Sequence, residues 1–149
     1  MSGWLISLWA APAALGFALL FNAPPRALWP AAILAVVGRL LRDVVMHAGI
    51  DITLGTLIAA LAIGALAEVW ARRVRLAAPV FAISAAIPMV PGVSMYEAVH
   101  ALMKLSGLAA GQSGEAYLVE AGSSIVRAAM ILLALTIGIA MPSLLMRRR

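Results

Sequence analysis

Long apolar runs, separated by short polar or helix-breaking stretches, occupy almost the whole chain. A helix needs about 20 mostly apolar residues to cross the hydrocarbon core of a bilayer, which is about 30 Å thick. Proline, glycine and charged residues gather between the runs and mark their ends. We therefore expect an all-α integral membrane protein, a single transmembrane domain over residues 1–149 built as a bundle of about five transmembrane helices. The predicted spans are residues 4–21, 27–47, 52–71, 76–105 and 120–145.

The composition agrees with a membrane protein and limits the possible chemistry. Of the 149 residues, 64% are hydrophobic and 11% are charged, whereas soluble domains are about 45–50% apolar and about 25% charged. The chain has no cysteine, which excludes disulfides and thiolate metal sites. Because the sequence also lacks a nucleophile–base pair, a phosphate-binding glycine loop and a cluster of metal ligands, we expect no enzyme, no metal site and no cofactor.

The basic residues predict the orientation in the membrane. The formal net charge is +5, and most lysines and arginines lie at helix ends or in one terminal cluster, without interleaved aromatic residues, which argues against nucleic-acid binding. Short cytoplasmic loops collect such residues, so Arg72, Arg73, Arg75 and residues 147–149 are expected in the cytoplasm. Five spans then give a periplasmic N-terminus and a cytoplasmic C-terminus in a bacterial inner membrane. The first run lacks a basic start and a cleavage site, so we expect it in the mature protein.

The second run is the weakest of the five because charged side chains interrupt it. Arg39, Arg42, Asp43 and His47 all lie in its second half. If residues 27–47 lay along the surface, the chain would have four spans and a cytoplasmic N-terminus. Asp43 lies four residues after Arg39 and can pair with it, or Arg39 can form a basic lining for a substrate carboxylate. The sequence leaves both alternatives open.

The fourth run is too long for one straight span. Residues 76–105 would form a helix of about 45 Å at about 1.5 Å per residue, longer than the hydrocarbon core is thick. Two prolines, which lack a backbone donor, and one glycine predict a break at Pro88-Met89-Val90-Pro91-Gly92. Ser94 and Glu97 have the spacing of a capping box, which predicts that the helix restarts there.

A break of this kind predicts a substrate site. Non-helical backbone at membrane depth is tolerated only where protein buries it or a water-filled cavity adjoins it. In transporters such breaks expose the N-termini of half-helices, whose amides and positive dipole end bind anions. An ordinary proline kink is the alternative. The residues that we expect to bind substrate are Pro88, Pro91, Gly92, Val93, Ser94, Tyr96 and Arg39.

Ionisable side chains near the break are candidates for coupling transport to protons. Such groups are costly inside a span and usually face a cavity. His100 is one candidate, because histidine changes its charge near neutral pH. Glu97 lies closer to the break, although its expected role as a capping partner competes with this function. Asp43 in the second run is the third candidate.

Two further charged positions have structural interpretations. Glu68 lies four residues before Arg72 at the end of the third span, which favours an ion pair between them. Arg127 lies within the fifth span and has the same two interpretations as Arg39, a local ion pair or a basic lining.

Two segments resemble the threonine/serine exporter (ThrE-type) family. Residues 88–96, Pro-Met-Val-Pro-Gly-Val-Ser-Met-Tyr, are similar to its P-x-x-P-G-x-x-x-Y signature. Residues 21–28, Phe-Asn-Ala-Pro-Pro-Arg-Ala-Leu, are similar to its first loop. The similarity covers nearly the whole chain, and the length matches the small subunit of the family's split members. The resemblance implies a functional role for the residues of the motif, Pro88, Pro91, Gly92 and Tyr96.

The resemblance also implies secondary export from the cytoplasm, of threonine and serine in the named members and of succinate in the split, two-subunit systems. It implies a second, larger membrane subunit as the partner. We therefore expect the small subunit of a two-component exporter of a small carboxylate-bearing metabolite. The alternative is a non-transporting membrane scaffold or assembly subunit, for which the break would be dry and filled by side chains.

Overall fold

The computed structural model describes residues 7–109 and 113–146, and every regular element in that part of the chain is helical. This confirms the predicted all-α fold for these residues. The helices are α1 (Ala10–Leu20), α2 (Pro25–His47), α3 (Ile52–Val74), α4 (Ala78–Ala86), a 3-10 turn (Ile87–Met89), α5 (Gly92–Ser106) and α6 (Glu115–Met146).

The ends of α3 follow from local residue chemistry. Asp51 precedes the helix, and its carboxylate accepts a hydrogen bond of 2.8 Å from the backbone N–H of Thr53, which satisfies one of the donors left free at a helix start. At the other end Arg75 has left-handed backbone angles, with φ 54° and ψ 44°. This conformation is uncommon for a residue with a side chain, and it ends the helix before the chain turns into α4.

Fewer helices have the length and apolar character of a membrane span than the sequence predicts. Within the described residues, α3 and α6 qualify alone, and α4 with its 3-10 turn qualifies together with α5 as one broken span. α1 is apolar but has only 11 residues, and α2 has 23 residues but does not qualify. The count of five is therefore not confirmed. The first residues of the predicted first span and the arginines at 147–149 lie outside the described residues.

The charges in α2 explain why this helix does not qualify. It is long enough to cross a bilayer, about 34 Å at about 1.5 Å per residue. However, Arg26, Arg39, Arg42 and Asp43 give it more charged side chains than a lipid-exposed span carries. The charges in its second half make contacts inside the protein, as described below. α2 thus differs from its neighbours in that its charged side chains bind other parts of the chain.

The chain divides into two compact groups of residues. The first comprises the chain up to Val90 together with the residues from Ala134 onward, and the second comprises Pro91–Leu133. In the first group, α2 contacts α1, α3 and α4. Small alanines fill most of this core, and its largest fully buried side chains include Leu34, Ile63, Phe81 and Met89. The single transmembrane domain stays a prediction.

Glycines bring α3 and the C-terminal part of α6 into close contact. A Cβ built on Gly138 would lie 2.5 Å from the Cβ of Ala60, and one built on Gly64 would lie 3.0 Å from the carbonyl oxygen of Ile139. Neither helix could approach so closely with larger side chains here. Small residues at such crossings are how helices associate in lipid, where helix association gains nothing from leaving water.

The second group consists of α5 and the N-terminal part of α6. Its buried residues are small, among them Ala98, Ala101, Ala121 and Ala128. Large apolar side chains lie on the outside instead, and Val93, Tyr96, Met103 and Val119 are each at least 66% exposed. Such a surface suits lipid or further membrane helices.

Candidate functional site

The predicted break is present at the predicted residues. α4 ends at Ala86, the 3-10 turn follows, and Val90 is extended with φ −58° and ψ 137°. Pro91, with φ −78° and ψ 60°, is the residue before α5. We call residues 87–91 the helix break. Non-helical backbone therefore interrupts a segment whose two halves together have the character of one span.

The predicted capping box at Ser94 is wrong. α5 begins at Gly92, two residues earlier, and no side chain caps it. Pro91 is compatible with this earlier start because a proline ring fixes φ near the helical value. Ser94 therefore lies inside the first turn, where its side chain cannot act as an N-cap. The carboxylate of Glu97 instead accepts a hydrogen bond of 3.5 Å from the hydroxyl of Ser124 in α6.

The break leaves backbone carbonyls without helical partners, and two arginines of α2 bind them. In a continuous helix, the carbonyls of Pro88 and Met89 would accept from the residues four positions later. Here Arg39 Nη1 donates to the carbonyl of Pro88 at 3.3 Å, and Arg42 Nη1 donates to that of Met89 at 3.1 Å. The arginines thus supply the donors that lipid cannot supply at this depth.

The carboxylate of Asp43 neutralises only part of the positive charge of Arg39 and Arg42. Asp43 Oδ2 lies 3.5 Å from Arg39 Nε, the pairing that the four-residue spacing predicts. The same oxygen accepts a hydrogen bond from the hydroxyl of Ser7. We call Ser7, Arg39, Arg42 and Asp43 the arginine cluster. It contains two guanidinium groups and one carboxylate, so it carries one excess positive charge.

The arginine cluster also has unused hydrogen-bond donors. Arg42 is 8% exposed, and among the described residues its buried Nε atom has no hydrogen-bond partner. The buried Nε of Arg39 also forms no hydrogen bond there, but it lies at ion-pair distance from Asp43. Arginine has five N–H donors in a fixed planar arrangement that matches a carboxylate. A buried excess cation with free donors next to an opened helix is chemically suited to holding a carboxylate.

The remaining predicted site residues lie in the second group of residues. Gly92, Val93 and Ser94 form the first turn of α5, whose amides have no acceptor within the helix. Tyr96 and His100 stack on each other, with ring centroids 5.7 Å apart, and both are exposed. The structure thus brings Arg39 into contact with Asp43 and with the carbonyl of Pro88, and it places Gly92, Val93 and Ser94 in one helical turn.

Two members of the arginine cluster, Arg42 and Ser7, were not among the predicted site residues. Arg42 lies three residues after Arg39, and this spacing places both on one helix face, so periodicity was a usable signal. Ser7 gave no signal, because its contact with Asp43 joins residues 36 positions apart.

Comparison with known proteins identifies the family. The sequence profile of "Threonine/Serine exporter, ThrE" matches residues 7–145. An uncharacterized protein of Haemophilus influenzae is 35% identical over 142 residues, which cover 95% of this chain and 47% of that relative. The chain therefore spans about half the length of this curated relative. No solved structure matches this chain significantly. The chain, whose P-x-x-P-G motif forms the helix break, belongs to the threonine/serine exporter family.

Proposed function

We propose that this chain is one component of a secondary exporter that moves a small carboxylate-bearing metabolite across the bacterial inner membrane. The arginine cluster at the helix break is the observation that carries the proposal. Threonine, serine and succinate are the candidate substrates, and each has a carboxylate that the cluster would hold. Membership of the exporter family supports transport as the activity.

Electrostatics favours an anionic ligand at the arginine cluster. A charged side chain inside a membrane is costly unless it is paired or faces a polar cavity. Asp43 balances one of the two guanidinium groups, and the backbone carbonyls of Pro88 and Met89 supply only dipoles. A substrate carboxylate would complete the neutralisation and use the Nε donor of Arg42, which has no hydrogen-bond partner among the described residues.

The first turn of α5 is the second element that we propose for substrate binding. The free amides of Gly92, Val93 and Ser94 and the positive end of the helix dipole favour a negative group. Pro91 sets the start of this turn, and Tyr96 lies on its next turn. His100, Glu97 and Asp43 are the groups that we propose for coupling export to protons.

We further propose that the exporter has two components, with a second, larger membrane subunit of the same family as the partner. The relative from Haemophilus influenzae, of which this chain spans about half, supports such an arrangement. So does the surface of the second group of residues, where the charged Arg127 of α6 is exposed among apolar neighbours. Within the described residues Arg127 has no ion pair, and a partner helix with an acidic side chain would supply one.

The proposed topology has five spans, with a periplasmic N-terminus and a cytoplasmic C-terminus. α2 crosses the membrane in this arrangement because the charges in its second half contact other parts of the protein. The loop that contains Arg72, Arg73 and Arg75 then lies in the cytoplasm, as the positive-inside rule requires.

Export of labelled threonine, serine and succinate tests the proposal. The assay uses cells that express this chain with and without the neighbouring membrane subunit. We expect export only with both components, and its loss when Arg39 and Arg42 are both replaced by glutamine. Arg73→Gln, which removes an exposed charge outside the cluster, is the matched control and should export normally. Wild-type export by the double variant, or no export of any of the three metabolites, would contradict the proposal and favour a scaffold.

A further inference from the structure

A second polar feature lies at the opposite end of α4 from the helix break. A cleft of about 340 Å³ opens between α3, the start of α4 and the end of α6, and its polar side chains are Glu68, Arg72 and Ser143. It shares Ala78, Pro79 and Ser143 with an adjoining, mainly apolar cleft of about 310 Å³. We call the two together the Glu68 cleft. Its parts all belong to the first group of residues.

The two charged side chains of this cleft, Glu68 and Arg72, do not pair with each other. The ion pair expected between Glu68 and Arg72 is absent, and Arg72 instead donates a hydrogen bond of 2.9 Å to the carbonyl of Met146. Among the residues that the structure describes, the half-buried carboxylate of Glu68 has no hydrogen-bond or ion-pair partner. Arg72 keeps further donors, since a guanidinium has five N–H groups.

We infer that the Glu68 cleft binds a zwitterionic α-amino acid with a small side chain, before it reaches the arginine cluster. This inference rests on the proposed export function and names the class of substrate. Glu68 holds the ammonium group and Arg72 holds the carboxylate, since side chains four residues apart on a helix lie about 5–6 Å from each other at Cβ. The apolar part of the cleft, lined by Gly64, Ala82 and Ile83, receives the substrate's side chain.

The same geometry discriminates against a dicarboxylate. A ligand with two carboxylates brings one of them close to Glu68, where like charges repel. A zwitterion instead meets one opposite charge at each end. The arginine cluster, with its excess positive charge, accepts the carboxylate of either kind of molecule, so the Glu68 cleft is where selection between them occurs.

The position of the cleft fits a first binding step in export. α3 ends beside it in the basic segment 72–75, which the positive-inside rule assigns to the cytoplasm. From Ala78 at the cleft, α4 and its 3-10 turn lead to Met89 at the arginine cluster, over about 16 Å at about 1.5 Å per residue. A substrate that enters from the cytoplasm therefore meets Glu68 before it meets Arg42.

Protection of a single cysteine tests the inference on the purified full chain in lipid nanodiscs. The native chain has no cysteine, so Ser143→Cys introduces one thiol at the cleft. The Ser143 hydroxyl donates to the carbonyl of Ala140 within its own helix, and the replacement should fold. We expect threonine or serine to slow the reaction of this thiol with a maleimide, and succinate to have little effect. Adding Glu68→Gln should raise the threonine concentration needed for protection by about tenfold, the loss expected for one charge-assisted hydrogen bond.

Two comparisons make the test specific. Arg73→Gln removes a neighbouring charge that does not line the cleft, and it should leave the protection unchanged. Equal protection by succinate, an unchanged threonine requirement in Glu68→Gln, or no protection by any of these ligands would overturn the inference. Export of succinate that is insensitive to Glu68→Gln would overturn it while the proposed exporter stands. Protection by threonine without export by any pair of subunits would instead contradict the exporter and retain the binding site.

Discussion

Arg42 of α2 donates a hydrogen bond to the backbone carbonyl of Met89, 47 positions further along the chain. Each group satisfies the hydrogen-bonding requirement of the other, because a buried guanidinium needs acceptors and the carbonyl at the break needs a donor. Arg39 has the same relationship with Pro88. The helix break is therefore held open by another helix, and it does not depend on its prolines alone.

Replacing Arg42 by methionine should destabilise the protein, because the Met89 carbonyl would be buried without a donor. An unsatisfied buried polar group costs about 1–3 kcal/mol. The measurement is thermal unfolding in detergent, compared with Arg73→Met, which loses an exposed charge and should keep the native midpoint. An Arg42→Met variant as stable as the native chain would mean that the carbonyl finds another donor.

Replacing Pro91 and Gly92 by alanine should straighten the helix break and abolish export without preventing insertion. In a helix interior, proline costs about 3 kcal/mol and glycine about 1 kcal/mol relative to alanine. A Cβ on Gly92 would meet nothing within 4 Å, so a steric clash would not explain the loss. The experiment compares membrane expression and export for the double variant. Normal export would reduce the motif to a kink without a role in transport.

Gly138→Ala should destabilise the contact between α3 and α6. The new Cβ would lie 2.5 Å from the Cβ of Ala60, and such overpacking typically costs about 1–3 kcal/mol. Gly122 lies in the same helix, and a Cβ there would meet nothing within 4 Å. Gly122→Ala is thus the matched control and should stabilise the helix by up to about 1 kcal/mol. Equal unfolding midpoints for the two variants would contradict the close contact.

His100→Gln and Glu97→Gln test the proposed coupling to protons. A residue that couples export to protons should lose gradient-driven export when neutralised but keep substrate counterflow, because exchange of substrate need not move a proton. Both activities are measured with the partner subunit present, with and without a proton gradient. If both variants keep gradient-driven export, Asp43 or a residue of the partner carries the proton.

Single cysteines test the topology, because the native chain contains none. With five spans, cysteines at Ser2 and Ser113 should react with a membrane-impermeant maleimide added outside spheroplasts, and one at Arg73 should react only after permeabilisation. A cysteine at Ser2 that is protected in intact spheroplasts would instead indicate four spans, with α2 lying along the surface.

The sequence was most informative where backbone chemistry decides the structure. Pro88, Pro91 and Gly92 located the break, because prolines and glycine act on the helix in any environment. The restart of α5 was misplaced, because Ser94 and Glu97 match the spacing of a capping box, whereas the helix starts after Pro91, three positions before Ser94. Glu97 instead contacts Ser124, and its spacing within the sequence gave no sign of this preference.

Contacts between distant parts of the chain could not be predicted from the sequence. Arg72 was expected to pair with Glu68, but its bond with Met146 joins residues 74 positions apart. Which partner an arginine selects depends on which helices adjoin it, and periodicity does not give that information. The arginine cluster could not be predicted in full for the same reason. The four-residue spacing predicts the pairing of Arg39 with Asp43, but no spacing predicts the contact of Arg39 with Pro88.

The proline within α6 has a consequence for how the protein enters the membrane. Pro142 has no N–H to offer the carbonyl of Gly138, and this oxygen lies 3.1 Å from where a Cβ on Gly64 would be. The Cα hydrogens of Gly64 can approach that oxygen closely enough for a weak hydrogen bond. If only acyl chains surrounded α6, the carbonyl of Gly138 would have no hydrogen-bond donor. We therefore expect the insertion machinery to release α6 into the bilayer together with α3 and not as a solitary helix.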